Sequence, residues 1–293
     1  FTKMNVDKIL VIDFGSQYTQ LIVRKIRESK VYSLIKSNKV SIEEIIKEEP
    51  KGIILSGGPA SVYDENSPKI NQEIFNLGIP VLGICYGFQL ISFMLGGEVQ
   101  KSLKREFGLS KINLKNSELL FQNVQEEFNV WMSHSDKVIR LPENFIPLGS
   151  TENTEFAAAC DLKRKIFGVQ FHPEVTHTEF GQQIIQNFLF QVCKCKPEWQ
   201  LSNFIQEKIL EIKEKTNNQL VACALSGGVD STVAAVLVQK AIGDRLHCIH
   251  VDTGLMRKNE SQTVIKFFKE HLNLNLHFVD ASELFLERLK GVI

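Results

Sequence analysis

The sequence lacks an excess of either charge, a membrane-length apolar run and a signal peptide. Its 293 residues include 34 Lys and Arg against 34 Asp and Glu, so no charge excess points to nucleic acid or an acidic membrane surface. No apolar run approaches the roughly 18 residues of a membrane span, and the first residues show neither an h-region nor a cleavage site. These absences predict a globular protein of the cytoplasm.

Cysteine is scarce, which argues against a fold held by disulfides. Six cysteines in a chain of this length, most of them in apolar segments, are typical of a reduced cytoplasmic protein. Cys193 and Cys195 form a C-x-C pair, but no second Cys/His pair stands at zinc spacing. We therefore expect two solvent-side thiols at the end of a helix rather than a metal site.

Short β-branched runs alternate with helix-period stretches, which predicts α/β architecture with doubly wound, mainly parallel sheets. The segment between Glu98 and Pro173 departs from this pattern, and its shorter strands, such as IFGVQF, indicate an antiparallel extension. Proline and charged residues after Cys193 indicate a linker, and a helix with Ser202 as its expected N-cap then restarts the alternation. We predict a first domain over residues 1–195, a linker over 196–206 and a second domain over 207–293. With only three predicted strands, the second domain is expected to be incomplete.

One cysteine stands on a sharp corner of the predicted fold. The sequence Gly83-Ile84-Cys85-Tyr86-Gly87 ends an apolar strand and begins a helix, which is the thiol form of the G-x-S-x-G nucleophile elbow. Glycines let strand and helix approach closely, and a helix N-terminus favours a thiolate. A buried cysteine in an ordinary turn is the alternative, but the two flanking glycines favour a nucleophile. The amide of Tyr86 would then donate to an oxyanion.

The segment GVQFHPEV, Gly168–Val175, supplies a base for this thiol. His172 and Glu174 are two residues apart, so in an extended segment they share a face and the carboxylate can orient the imidazole. A surface His-Pro-Glu turn is the alternative interpretation. His134 is the rival base, but no Glu follows it two residues later, so His172 is preferred. The glycine turn in LSGGPASV, Leu55–Val62, has amides that could complete an oxyanion hole.

A second glycine loop, ALSGGVDST, covers Ala224–Thr232 between a predicted strand and a predicted helix. Its glycines and the helix N-terminus suit an anion. The lysine of a Walker A loop is absent, which excludes that motif. An ordinary strand–turn–helix connection with an Asp or Ser N-cap is the alternative.

The motifs GICYGFQ, GVQFHPEV and LSGGPASV resemble those of the class I glutamine amidotransferases, and the resemblance covers Lys8 to about Cys193. In that family, on a flavodoxin-like fold, a cysteine attacks the side-chain amide of glutamine, forms a thioester and releases ammonia. The resemblance implies that Cys85 is the nucleophile, His172 the base and Glu174 the orienting acid. It also implies oxyanion-hole and glutamine contacts by Gly58, Tyr86, Gln89, Ser133, Ser135 and Asp136.

The sequence S-G-G-x-D-S resembles the pyrophosphate loop of the ATP pyrophosphatases, which have an adenine-nucleotide alpha-hydrolase-like fold. That resemblance implies ATP as a substrate, Mg²⁺ with Asp230 as its ligand, and no organic cofactor. The implied ATP contacts are Ser226, Gly227, Gly228, Val229, Asp230, Ser231, Val251 and Asp252.

A class I glutaminase followed by this loop on one chain resembles the ligases of purine biosynthesis that aminate XMP. The implied reaction converts XMP, ATP, glutamine and water to GMP, AMP, pyrophosphate and glutamate. The resemblance also implies a homodimer, formed through a C-terminal domain outside this sequence, and neither a nucleic-acid nor a membrane partner.

Three alternatives remain open at the level of the sequence. A glutaminase-coupled ATP pyrophosphatase could act on another acceptor, for example as a tRNA-thiolating enzyme, although the neutral charge balance argues against RNA. An amide hydrolase would leave the second glycine loop without a purpose. A non-catalytic binding protein could share the scaffold, because a fold alone does not fix a function.

Overall fold

The computed structural model describes residues 6–117, 119–272 and 274–292, with only the backbone described at residues 102–105. The chain divides into two compact units, Phe1–Trp199 and Gln200–Ile293. The division falls inside the segment 196–206 that we assigned to a linker, and residues 201–206 of that segment are helical.

Nine strands form the sheet of the first unit in the described residues. They are β1 (Lys8–Asp13), β2 (Tyr32–Ser37), β3 (Gly52–Leu55), β4 (Val81–Ile84), β5 (Glu98–Leu114), β6 (Glu127–Arg140), β7 (Ile146–Ser150), β8 (Ala158–Asp161) and β9 (Ile166–Val169). Their order in the sheet is β2-β1-β3-β4-β9-β8-β7-β5-β6. The pairs from β2 to β9 in this order are parallel, which confirms the predicted α/β core.

Helices cover both faces of this sheet. They are α1 (Thr19–Glu28), α2 (Ile42–Glu48), α3 (Tyr86–Met94) and α4 (Gly181–Asn187), with a π-helical turn at Phe188–Val192 and 3₁₀ turns at Gln72–Asn76 and Leu119–Phe121. In β1, Ile9 and Val11 belong to one buried cluster, whereas Leu10 and Ile12 belong to another. The first cluster includes side chains of α1 and α4, and the second includes side chains of α2 and α3. Burial on both faces explains why these strands are continuously apolar.

The predicted antiparallel extension is present, and its strands β7 and β8 are short as expected, at 5 and 4 residues, but its other two strands are long. Strands β5 and β6 span 17 and 14 residues and pair antiparallel. The assignment of IFGVQF to this extension was wrong in part, because β9 pairs in parallel with β4 and antiparallel with β8. Strand β9 therefore joins the parallel core to the extension. A short apolar run is compatible with either a parallel or an antiparallel strand, so the sequence alone could not predict which pairing β9 makes.

The second unit has a three-stranded parallel sheet in its described part, in the order β10-β11-β12. Its elements are α5 (Leu201–Thr216), β10 (Val221–Ala224), α6 (Val229–Ile242), a 3₁₀ turn (Gly243–Arg245), β11 (Leu246–Asp252), α7 (Glu260–His271), β12 (Leu276–Asp280) and α8 (Ser282–Leu289). A small buried cluster that includes Cys248 and Phe268 forms its core. The three strands and their parallel pairing agree with the predicted second α/β unit.

Two local predictions were wrong. Helix α5 begins at Leu201 after Gln200, so Ser202 lies inside its first turn and does not cap it. Cys193 and Cys195 are only 6% and 7% exposed, so the thiols are buried rather than on the solvent side. The π-helical turn that precedes them buries Phe188, Leu189 and Val192. Cys193 and Cys195 belong to the same buried hydrophobic cluster as these three side chains.

Two absences hold for the part of the chain that the structure describes. None of its helices has the length and apolar content needed to cross a bilayer. Nor do three His, Cys, Asp or Glu side chains gather there as ligands for a metal ion.

Candidate active site

Cys85 is the single residue between β4 and α3, as the elbow motif predicts. Its backbone has φ 52° and ψ −106°, a region that residues with a Cβ rarely occupy. The Cys85 N–H donates to Val169 O at 2.8 Å, and its carbonyl accepts from the N–H groups of Phe88 and Gln89. Neighbouring elements therefore hold a strained conformation, and such strain persists mainly at functional sites.

The two glycines of the motif are required by packing. A Cβ on Gly87 would lie 2.3 Å from Leu55 O, and one on Gly83 would lie 2.6 Å from the carbonyl carbon of Gly87. Real Cβ atoms do not approach that closely, so any larger residue would push α3 away from β3 and β4. The glycines thus bring the helix N-terminus directly beneath the cysteine at the corner.

His172 and Glu174 form a buried pair beyond the end of β9. His172 Nδ1 lies 2.8 Å from Glu174 Oε1, and the two residues are 4% and 1% exposed. Strand β9 ends at Val169, so the pair lies in the turn after the strand and not on an extended segment as expected. The turn still brings the two side chains together. Thr178 fixes the turn, since its hydroxyl donates to His172 O at 2.7 Å.

The surroundings of His172 favour its protonated form. Burial alone would lower the pKa of His172, but its interactions with Cys85 and then with Glu174 outweigh burial and hold that pKa well above the ordinary value. The Tyr18 ring meets the imidazole edge-on, with centroids 5.1 Å apart, and limits its rotation. A cationic imidazole beside the sulfur is the arrangement that stabilises a thiolate.

One cavity of about 760 Å³ brings most of the predicted glutamine-site residues together. Its wall includes Gly58, Cys85, Gln89, Ser133, Ser135, Asp136 and His172. Two predicted residues lie outside this wall, Glu174 behind His172 and Tyr86 at the start of α3. The Tyr86 ring packs against Phe14 in the core and its hydroxyl donates to Pro68 O, so only its backbone amide can serve the site.

A serine fixes the loop that carries the second predicted oxyanion amide. Ser56 Oγ accepts from the Phe14 N–H at 3.0 Å and donates to Gly57 O at 2.9 Å. The Gly57 carbonyl and the Gly58 N–H belong to one planar peptide and point in opposite directions. Holding the carbonyl therefore fixes the direction of the Gly58 N–H. A Cβ at Gly58 would lie 2.8 Å from Phe14 O, which explains the glycine.

Gln89, the predicted glutamine contact, is 3% exposed and is tied into the protein. Its Nε2 donates to Asp136 O at 2.7 Å and to Gln170 Oε1 at 3.4 Å. Because both N–H groups are used inside the protein, its Oε1 is the atom left for a ligand in the cavity.

His134, the rival base, has a carboxylate partner that the sequence argument did not find. Its Nε2 lies 3.2 Å from Oε2 of Glu106, the residue opposite it in β5, and its Nδ1 is 2.9 Å from Asp136 O. The ring of His134 is therefore directed toward the Asp136 carbonyl and the Glu106 carboxylate, which are partners other than Cys85. This geometry favours His172 as the base for a reason different from the one inferred from sequence.

Three polar residues near the site were missed by the sequence analysis: Ser56, Glu106 and Gln170. Gln170 carried a usable signal, because it stands two residues before His172 in the same segment. Glu106 carried none, since its contact with His134 depends on the pairing of β5 with β6, which includes an irregularity between Lys101 and Glu106. A register shift of that kind cannot be read from periodicity.

The second glycine loop lies between β10 and α6 in the second unit. Helix α6 begins at Val229 after Gly228, and the loop is exposed from Ser226 to Asp230. Ser226 Oγ lies 3.0 Å from Ser231 Oγ and accepts from the Gly228 N–H at 3.2 Å. Gly228 is therefore the N-cap, and the expected alternative of an Asp or Ser cap does not apply.

The geometry of this loop suits a phosphate group. Gly227 has φ 85°, and a Cβ there would lie 2.6 Å from a methyl carbon of Val264. Backbone amides at the start of a 14-residue helix then face solvent together with two hydroxyls. Val251 and Asp252 end β11, the strand next to β10, so they lie at the same carboxyl edge of the sheet. Asp252 already accepts from the Gly254 N–H.

The chain matches two protein-family models. Residues 10–192 match the class I glutamine amidotransferases, and residues 199–288 match the NAD synthase family. The first match covers the unit that holds Cys85, and the second covers the unit that holds the second glycine loop.

The chain is similar to curated GMP synthases (glutamine-hydrolyzing). That of Staphylococcus aureus is 55% identical over 284 residues, which are 97% of this chain and 55% of the relative. That of Caldicellulosiruptor saccharolyticus is 54% identical over 290 residues, which are 99% of this chain and 57% of the relative. The chain thus spans about half the length of the curated relatives it matches.

Among solved structures, a putative GMP synthase subunit protein from Thermoplasma acidophilum is 32% identical with a TM-score of 0.61. The match covers 70% of this chain and 100% of that one. Both the sequence identity and the complete coverage of that protein support the assignment of the first unit.

Proposed function

Because the chain belongs to the class I glutamine amidotransferase family, we propose that its first unit hydrolyses glutamine to glutamate and ammonia. The observation that carries this proposal is the position of Cys85. It stands on a strained corner, in one cavity with His172, whose Nδ1 is 2.8 Å from Glu174. Nucleophile, base and orienting acid are thereby arranged in the order that covalent acyl transfer requires.

The chemistry follows from these positions. The thiol proton passes to His172, and the sulfur of Cys85 attacks the side-chain carbonyl carbon of glutamine. The carbonyl electrons move to oxygen, where the amides of Gly58 and Tyr86 donate to the oxyanion. His172 gives its proton to the leaving nitrogen, the C–N bond breaks, and ammonia leaves a thioester. Water, deprotonated by His172, then hydrolyses the thioester and frees the sulfur.

For the second unit, the proposal is ATP binding at the loop 226–231, supported by its exposed amides and hydroxyls. AMP is transferred to the O2 oxygen of XMP with release of pyrophosphate, and ammonia displaces AMP at C2. Asp230, an exposed carboxylate in the first turn of α6, suits Mg²⁺, which commonly uses one or two carboxylates together with substrate phosphates and waters. Bound there, the ion would neutralise phosphate charge. Val251 and Asp252 are the proposed contacts of the remaining nucleotide.

The complete reaction proposed is therefore glutamine-dependent amination of XMP to GMP. It is tested by mixing the full-length protein with XMP, ATP, Mg²⁺ and glutamine and separating the nucleotides by chromatography. Equal amounts of GMP and AMP are expected, and AMP without GMP would reject XMP as the acceptor. A different acceptor nucleotide is the second candidate, favoured by the match of the second unit to the NAD synthase family.

Location and assembly are also proposals. All six cysteines are free, which supports a reducing cytoplasm. A homodimer is expected from the resemblance, and the mass of the full-length protein in solution checks it.

A further inference from the structure

The sulfur of Cys85 has a polar neighbour with no role in the chemistry above. Gln170 Nε2 lies 3.7 Å from Cys85 Sγ, within the range of a hydrogen bond to sulfur, and the Gln170 residue is 0% exposed. A buried amide is costly unless its polar atoms are used, so this contact needs an explanation.

A chain of hydrogen bonds determines which end of the Gln170 amide faces the sulfur. The Asp136 carbonyl can only accept, so the atom of Gln89 that lies 2.7 Å from it is Nε2. The second N–H of Gln89 is directed to Gln170 Oε1 at 3.4 Å. With its oxygen engaged there, Gln170 presents its NH₂ group to Cys85. The orientation thus follows from a backbone carbonyl.

We propose that Gln170 is a further catalytic residue, whose side-chain N–H donates to the sulfur of Cys85 and stabilises it as a thiolate. The proposal rests on the proposed function of the first unit. Hydrogen bonds to an ionised acceptor are roughly twice as strong as neutral ones. On another side of the sulfur, Ser133 O lies 3.6 Å away and can accept only from a neutral thiol. Gln170 and His172 therefore favour the thiolate form of Cys85, whereas Ser133 O favours the neutral thiol.

The contact also fits the course of the reaction. When the C–S bond forms, the negative charge leaves the sulfur for the carbonyl oxygen, and the N–H of Gln170 loses its strong acceptor. When the thioester is hydrolysed, the thiolate returns and the hydrogen bond is restored. Gln170 thus favours release of the free enzyme and takes no proton itself, because an amide does not titrate.

The test measures the rate at which iodoacetamide alkylates Cys85 in the intact chain as a function of pH, by peptide mass. Gln170→Met keeps the length of the side chain without the N–H. The midpoint of its profile is expected to rise by about one pH unit, the effect of losing one charge-assisted hydrogen bond. Gln170→Glu places a carboxylate beside the sulfur and should raise the midpoint further. Glutaminase kcat is expected to fall in both variants.

Other titratable groups around the site are unchanged in these variants. They are His172 and Glu174 after β9, His134 and Asp136 in β6, Lys101 and Glu106 in β5, Tyr63 and Asp64 in the loop after β3, and Tyr18 before α1. Gln182→Met is the matched control, because Gln182 donates to Lys25 O and Ser29 Oγ in the same unit. Its alkylation profile should match that of the unaltered protein.

An unchanged midpoint in Gln170→Met would overturn the proposal. If that variant does not fold, assigned side-chain amide resonances of the unaltered protein decide instead. Alkylation of Cys85 should shift the Gln170 pair and leave the Gln182 pair in place, and an unmoved Gln170 pair would overturn the proposal. Alkylation of Cys85 needs no substrate, so the test distinguishes failure of the proposed role of Gln170 from failure of the proposed glutaminase function. If Cys85 reacted like a simple thiol in the unaltered protein, the proposed function of the first unit would fail.

Discussion

His172 Nδ1 lies 2.8 Å from Glu174 Oε1, and both side chains are almost fully buried. The contact orients the imidazole by its Nδ1 edge, which leaves Nε2 for the thiol of Cys85. Glu174 Oε2 has no hydrogen-bond partner in the described part of the chain, so the carboxylate is committed to this one histidine.

Glu174→Gln should therefore impair the glutaminase. The pKa of His172 is raised by Cys85 and Glu174 against the effect of burial, so loss of the carboxylate charge lowers that pKa. We expect kcat to fall by at least about 100-fold, as for other general acid–base groups, and the pH limb governed by His172 to move to lower pH. A pH profile of glutamate release checks both effects.

The control for this substitution is Glu179→Gln. Glu179 accepts from the N–H of Asn129 on β6 but is exposed and does not contact His172. Its pH profile should match that of the unaltered enzyme. An equal loss in both variants would mean that the segment is merely sensitive to charge.

Ser56→Ala should weaken the proposed oxyanion hole without affecting the nucleophile. The Ser56 hydroxyl holds the Gly57 carbonyl at 2.9 Å, and its loss frees the peptide to rotate. Direct removal of an oxyanion donor costs about 10²–10³ in kcat, so this indirect change is expected to cost at least about tenfold. Steady-state kinetics measure this cost, and the rate of Cys85 alkylation should remain unchanged.

Ser92→Ala is the matched control for Ser56. Ser92 is fully buried in α3, and its hydroxyl has no hydrogen-bond partner among the described residues. Its kcat should remain normal. A normal kcat in Ser56→Ala would show that the loop holds its conformation without the hydroxyl.

The ionised carboxylate of Glu106 makes the stability of the first unit depend on pH, because the unit is expected to lose stability in acid. Burial alone would raise its pKa, but His134 and then the Thr154 hydroxyl outweigh burial and lower that pKa from 4.5 to about 2. A carboxyl group with a lowered pKa in the folded state contributes stability above its unfolded value, and that contribution is lost as pH falls toward about 2. The shift corresponds to about 3 kcal/mol.

Glu106→Gln should therefore reduce the free energy of unfolding at neutral pH and flatten its dependence on pH between 4.5 and about 2. Denaturant unfolding at several pH values measures this. Glu98→Gln is the control, because Glu98 begins the same strand and its contact with Arg140 is exposed, so little change is expected. Parallel pH curves for Glu106→Gln and the unaltered protein would contradict the account of the buried pair.

Asp230→Ala should stop the cleavage of ATP to AMP and pyrophosphate. Asp230 is the carboxylate in the first turn of α6, beside the serines of the glycine loop. A pyrophosphate assay on the full-length protein tests this, with Asp244→Ala, an exposed carboxylate after the same helix, as the control. Normal pyrophosphate release by Asp230→Ala would refute its role.

Local chemistry could be predicted from the sequence where it depends on neighbours along the chain. The corner at Cys85 and the contact of His172 with Glu174 belong to this class. The parallel cores could be predicted for a different reason, because the alternation of strands and helices along the chain indicates them. Contacts that depend on strand register could not be predicted. The pairing of Glu106 with His134 lies across β5 and β6, beyond an irregularity in their ladder. Burial of Cys193 was also missed, because it requires the space that Gly52 leaves in a distant strand: a Cβ there would lie 2.3 Å from the sulfur.

The central claim is that ammonia made at Cys85 is consumed by the reaction in the second unit. It is tested by Cys85→Ala in the full-length protein, with XMP, ATP and Mg²⁺ present and GMP as the readout. Formation of GMP should be lost with glutamine as nitrogen donor and retained with ammonium chloride. Equal loss with both donors would contradict the division of the reaction between the two units.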